Sequence, residues 1–219
     1  MLHVTLEIAR GTEQGKSDRQ KLAKHVGGVR KYGRKTPIPL TVVLDVLGLN
    51  TALWWLEHTL EDSARIDRLL AADYAEHMLK HFEEGCQKAV GRLKELIEAA
   101  RRFARGEILE PEIEAVRSEV HECLTGPPGN PDSFEAAIGA TMCCSSPDGM
   151  AAAAWTAGQG SLAINFKTDE NGWSRKSYEE RRDDCKSACD AERRWQEERL
   201  REYLAAHLDE PEKPNTEDE

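Results

Sequence analysis

The chain opens on a period of two and then changes to a period of three to four. In "LHVTLEIA", Leu2, Val4, Leu6 and Ile8 alternate with His3, Thr5 and Glu7, the pattern of a half-buried strand. One strand makes no sheet, so this one is an edge strand pairing with another chain, a docked extension, or the start of a helix. "GTEQGKSDRQKLAKHVGGVRKYGRK" follows and mixes glycines with basic residues, which predicts a short helix and then a mobile basic linker. Its "GKS" is not a phosphate loop, because the upstream glycine and the preceding strand are wrongly spaced for one.

From Thr36 the pattern is helical throughout. "TPIPLTVVLDVLG" starts behind two prolines and stops at Gly48, with Asn50 placed to cap the next helix, "TALWWLEHTL". "DSARIDRLLAADYAEHMLKHFEEG" repeats apolar residues at Ile66, Leu69, Leu70, Tyr74, Met78, Leu79 and Phe82 and ends at Gly85. "AVGRLKELIEAARRFARG" ends at Gly106, and "EPEIEAVRSEVHECLTG" carries Pro111 in its first turn. "FEAAIGATMCC" and "GMAAAAWTAGQGSLAI" are small-residue helices, expected deep in the molecule because Ala and Gly permit close approach. A last helix is expected from about Ser174 to His207. The fold class that results is all-α, an antiparallel bundle of about seven or eight helices with a short N-terminal strand-like extension. Its parts are a basic extension or linker over 1–35, a helical domain over 36–208, and an acidic, disordered tail over 209–219.

Composition sharpens this picture. Of the 219 residues only 6% are aromatic while 32% are charged, which favours helix over sheet. Nowhere does an apolar run approach the roughly 20 residues of a membrane span, and the N-terminus has no export signal. A cytoplasmic protein with no membrane association is expected. The net charge of -10 is uneven. Residues 1–39 carry nine Lys/Arg against three acids, residues 209–219 carry six acids against one Lys, and residues 40–208 carry 20 basic against 31 acidic residues, a balance of -11. Such a body repels nucleic acid and suits a basic protein partner; solubility is the plainer use of the same charge.

Chemistry is harder to find. His77 and His81 lie four apart with Asp73 one turn earlier, so the three share a helix stripe able to chelate a divalent metal. No second Glu-x-x-His element completes a di-iron set, and a solvated polar face is the preferred reading. The six cysteines read as reduced thiols. Cys143 and Cys144 are adjacent, which suits neither a redox pair nor a zinc knuckle, and Cys185 and Cys189 fall on the packing stripe of the last helix with Tyr178, Leu200 and Tyr203. Their i,i+4 spacing holds Cβ atoms about 5–6 Å apart, too far for a disulfide. With no nucleophile elbow and no activated cysteine, the chain reads as a non-enzyme with no cofactor and no catalytic residue.

Four segments, "PLTVVLDVLGLNTALWWL", "DRLLAADYAEHML", "AARRFARGEI" and "DAERRWQEERLREYL", resemble the small helical immunity proteins of bacterial polymorphic toxin systems, in the group likened to their fifth class. The likeness spans roughly 37–204 and departs from the group around Cys143 and Gly160, where an Ala, Trp and Arg repeat is usual. It implies a non-enzymatic protein that binds and neutralises a cognate toxin. The matched residues read as structural: Leu47, Leu49, Leu53 and Trp54 at core spacing, Phe103 and Trp195 as helix anchors, and Arg68, Asp73, Arg101, Arg105 and Glu192 as buried or half-buried ion pairs that fix helix register.

Occlusion is the expected mechanism, an acidic helical surface over a basic toxin or enzyme cleft. Glu61, Asp62, Glu83, Glu84, Glu110, Glu112 and Glu114 are the acidic candidates for that contact. Two alternatives keep the same fold: an acidic inhibitor or adaptor of a phage- or host-encoded nucleic-acid-processing or defence enzyme, and a nucleic-acid-associated protein. The latter would use the basic residues 16–35, with Tyr32 free to stack on a base.

Overall fold

The structure is a computed structural model and describes residues 1–8, 13–82, 87–124, 132–145, 152–160 and 178–206. Among these it is an all-α bundle carrying one two-stranded sheet. Strand β1 (His3–Val4) pairs antiparallel with β2 (Ile38–Pro39), with His3 opposite Pro39 and Val4 opposite Ile38. Helices α1 (Glu13–His25), α2 (Val29–Tyr32), α3 (Leu40–Leu47) and α4 (Leu49–Leu56) accompany this hairpin-like tie. The long antiparallel body follows: α5 (Ala64–Leu79), α6 (Gln87–Ala104), α7 (Glu110–Leu124), α8 (Asp132–Cys144), α9 over 152–160, and α10 (Tyr178–Ala206).

The segment 1–35, read from the sequence as an extension or linker, contributes to the core of the bundle through its described residues. Leu2, Val4 and Leu6 are buried, as the alternation in "LHVTLEIA" predicts, and Leu22 and Ala23 of α1 join them in the same cluster as Leu40, Leu53 and Leu56. The partner of the lone strand is this chain's own Ile38–Pro39, so of the alternatives the docked extension describes it. Two further bonds lock it: Leu40 N–H donates to Leu2 O at 2.9 Å and Leu60 N–H to His3 O at 2.8 Å. No break in the core accompanies the boundary expected at residue 36, because an apolar strand this short stays folded only when its face is covered.

Gly48 joins α3 to α4 with φ 85° and ψ 174°, a conformation open to glycine and strained for other residues. Gly48, not Asn50, therefore stands at the N-terminal cap, and α4 begins two residues earlier than "TALWWLEHTL". On α4 the residues Leu49, Ala52, Leu53 and Leu56 form the i, i+3, i+4, i+7 stripe that enters the core. Trp54 is 100° further round and points outward with 43% exposure, so the expectation of a core Trp54 is corrected and Trp55, 7% exposed, takes that place.

Helix α5 is the centre of the bundle, packing on α6, α8 and α10. Leu70, Ala71, Ala72, Tyr74, Ala75, Met78 and Leu79 are all buried, so its apolar surface wraps most of the helix. It ends earlier than expected, at Leu79, and tightens into a 3₁₀ turn over Lys80–Phe82. Gly106, with φ 73°, closes α6: Gly106 N–H bonds Phe103 O and Glu107 N–H bonds Arg102 O, the paired bonds of a Schellman end. As their composition predicts, α8 and α9 pack deep through Ala137, Ala140, Thr141 and Cys144, and through Ala152, Ala153, Thr156 and Ala157. The tail over 209–219 lies outside the described residues.

Candidate functional site

A polar seam runs between α5 and α10, and it begins at Asp73. One oxygen of Asp73 accepts from Arg101 at 2.8 Å; the other accepts from Arg199 Nε and Nη2 at 2.8 and 2.6 Å and from Tyr203 Oη at 2.8 Å. Arg101 also donates to Glu76 at 2.7 Å. Burial alone would raise the Asp73 pKa, and the bonds from Arg101, Tyr203 and Arg199 outweigh it and hold the carboxyl below its usual range. Asp73 and Arg101 form a half-buried ion pair that links α5 to α6, and Arg199 adds α10 to it. With its oxygens so occupied, Asp73 is not a ligand partner of His77 and His81.

One turn along, Glu192 is the carboxylate that meets His77. Glu192 is 3% exposed, and its Oε2 lies 3.0 Å from His77 Nδ1 while Oε1 accepts from Gln196 Nε2 at 2.9 Å. Trp195 stacks on the His77 imidazole with centroids 3.6 Å apart and planes 8° from parallel. His81 meets His77 edge to face at 6.0 Å. Potential ligand atoms of His77, His81 and Glu192 all lie within 4.8 Å of one another. The His81 pKa is lowered, first by desolvation and then by the neighbouring charges of His77 and Lys80, against an opposite pull from Glu192. Tyr74 Oη closes the seam by donating to Gln196 O at 2.8 Å.

The other structural candidates take simpler positions. Leu200 is fully buried and Tyr203 is half-buried against the core. The Arg68 guanidinium lies 4.7 Å over the ring of Phe103, which itself packs on the core. Arg105 is exposed and bonds Glu98 and Glu107 at the surface, so its expected burial is corrected. Position explains this: Arg105 follows the last residue of α6, where the chain turns into solvent at Gly106. Cys143 is half-buried and Cys144 fully buried, and desolvation raises both thiols; Cys185 and Cys189 are half-buried.

A buried carboxylate that the sequence reading passed over is Asp67 of α5, 2% exposed. Its two oxygens accept from the backbone N–H groups of Ala152 and Ala153 at 2.9 and 3.1 Å, so one helix caps the N-terminus of another. Desolvation raises its pKa to about 6 against the lowering effect of those two bonds. This pairing bridges 85 positions of sequence, and no local motif announces it.

The acidic candidates for partner contact divide. Glu61 is engaged at 2.7 Å by both His3 N–H and His3 Nδ1 and so ties down β1. Asp62 accepts from Ala64 N–H at 3.0 Å and Glu112 from Leu109 N–H at 2.8 Å, each at the start of a helix. Glu114 pairs with Arg117 at 3.1 Å. Glu110 stands exposed in the first turn of α7. Glu83 and Glu84 lie outside the described residues. In the basic segment, Tyr32 donates its hydroxyl to Pro37 O at 2.8 Å and packs partly on the core.

On the side where α4, α9 and α10 meet, two tryptophans face solvent. Trp54 and Trp155, 43% and 53% exposed, meet edge to face at 5.6 Å with planes 75° apart. They border a groove of about 400 Å³ whose floor and walls include Leu53, Ala157, Cys189 and Arg193. Asn50 and Arg193 continue it into a shallower cleft edged by Asp190 and Glu197. No helix among the described residues is long and apolar enough to cross a membrane. Comparison with family models, with curated proteins and with solved structures finds no match to the chain.

Proposed function

We propose that this chain is an immunity-type binding protein, without catalytic activity, that captures a basic bacterial toxin and neutralises it by covering its working surface. The observation that carries this reading is the exposed Trp54–Trp155 pair beside its groove. Two adjacent indoles left in water are costly for a monomer, and Trp is the residue type most often found at the energetic centre of an interface. The surrounding body carries 20 basic and 31 acidic residues over 40–208, which steers a basic partner toward it. The resemblance of "ARRFARGEI" and "ERRWQEERLREYL" to immunity proteins supports the same reading, as does the use of Asp73, Arg101 and Glu192 in holding helices together.

Co-expression tests it. A toxin captured from source cells by the full chain, and shown to arrest growth alone, is expected to lose that effect when the chain is co-expressed. Trp54→Ala is expected to weaken capture by about 2 kcal/mol, roughly 30-fold in Kd. A captured protein whose toxicity persists in the presence of a stoichiometric complex contradicts the reading. A partner that proves to be a nucleic-acid-processing or defence enzyme, inhibited but not toxic, replaces it with the inhibitor alternative.

A further inference from the structure

The seam between α5 and α10 brings two histidines and a buried carboxylate within 4.8 Å of one another. We infer that His77, His81 and Glu192 form a binding site for a first-row divalent transition metal ion, of the kind typified by Zn²⁺, which clamps α10 to the end of α5. The inference is independent of the partner reading above.

Three features point to a metal. His77 on α5 and His81 in the 3₁₀ turn that follows bring their rings together edge to face, 6.0 Å between centroids, near enough for both imidazoles to reach one ion. A carboxylate comes to them from another helix, 115 positions away in sequence, completing a two-histidine, one-carboxylate set of the kind that holds zinc. Nitrogen ligands select a transition ion over magnesium or calcium. The gap of 3.0 Å between His77 Nδ1 and Glu192 Oε2 is close to the edge of about 3.4 Å that a tetrahedral site with bonds of about 2.1 Å requires. His81 closes the remaining distance, within 4.8 Å, by rotation of a side chain that lies at the surface.

The supporting shell is also in place. Gln196 Nε2 holds the second oxygen of Glu192 at 2.9 Å, and Trp195 lies flat on the His77 ring, so two of the three ligands are oriented before any ion arrives. On binding, the ion takes the place of the His77–Glu192 contact, with the neutral imidazole offering its Nδ1 lone pair and carrying its one N–H on Nε2. Water completes the coordination on the side of His81.

The test uses the full chain, stripped with chelator and then equilibrated with Zn²⁺ against a competing indicator. One zinc per chain is expected. Loss of one ligand in His81→Ala is expected to weaken binding by more than the roughly 10–100-fold that follows removal of an outer-shell partner. His81 stands outside the hydrogen-bond chain of His77, Glu192 and Gln196, so this variant should melt like the metal-free parent; Glu192→Gln should also lose zinc. Cobalt in place of zinc should give visible d–d bands with no thiolate charge-transfer band. Failure to bind zinc, wild-type affinity in His81→Ala, a thiolate band, or zinc loss in Cys185→Ser/Cys189→Ser alone would each overturn the assignment.

Discussion

Asp73 collects donors from two arginines and a tyrosine, and its removal leaves Arg101 and Arg199 without their shared anion. Asp73→Ala is expected to lower unfolding free energy by about 3 kcal/mol, the lower end of the range for breaking a buried pair because Arg199 is partly solvated, as read from a urea midpoint. Its pKa is depressed, so its stabilisation is present above the ordinary value of 3.8 and lost as pH falls through the lower folded value. Asp67 has the opposite sign. Its folded pKa is raised from 3.8 to about 6, so the folded state binds the proton more readily and stability from this group falls as pH rises between those values. A shift of about two units corresponds to ~3 kcal/mol. Relative to Asp67→Asn, the wild type should therefore be more stable at pH 4.5 than at pH 8 by an amount of that order; a difference between the two that is flat across this range contradicts the assignment. Neither behaviour was legible in the sequence. Asp73 was legible as an ion-pair residue on a helical stripe, but Asp67 and Glu192 owe their roles to groups brought in from α9 and α10.

Elements were more legible than contacts. Apolar spacing of three and four located α5, α6, α7 and α10 because each must turn one stripe to the core, and Gly48 and Gly106 marked helix ends because only glycine takes their backbone angles at low cost. Gly48→Ala meets no side-chain obstacle, so its effect reports backbone strain alone, expected at about 1–3 kcal/mol from denaturant unfolding. A neutral result would place the strain elsewhere. Trp54 and Trp55 show where periodicity falls short. Adjacent indoles cannot share a helix face, and the choice between them depends on α9, which supplies Trp155 as a neighbour for the outward one. The cysteines of α10 show the same limit: spacing places Cys185 and Cys189 on the packing stripe, yet both are half-buried, and Cys189 lines the groove beside Trp54 and Trp155.

At the scale of the whole molecule, the N-terminal segment changes most between sequence and structure. Charge marks it as separate, since residues 1–39 carry nine basic residues against three acids, while burial of Leu2, Val4 and Leu6 makes it integral. Burial is the stronger effect, because a fully buried Leu cut to Ala costs about 2–5 kcal/mol whereas a surface charge costs a fraction of that. Leu6→Ala is expected to fall in this range by thermal or urea unfolding, and deletion of residues 1–8 to exceed it. The proposed function requires that an acidic body and two exposed tryptophans capture a basic protein. Titration of the captured toxin into wild-type chain and into the Trp54→Ala/Trp155→Ala variant, by calorimetry at low and at moderate salt, tests it most directly. A one-to-one complex is expected, weakened at least 30-fold in the variant and weakened further by salt; equal affinity for the two proteins, or affinity indifferent to salt, would rule out capture by this surface.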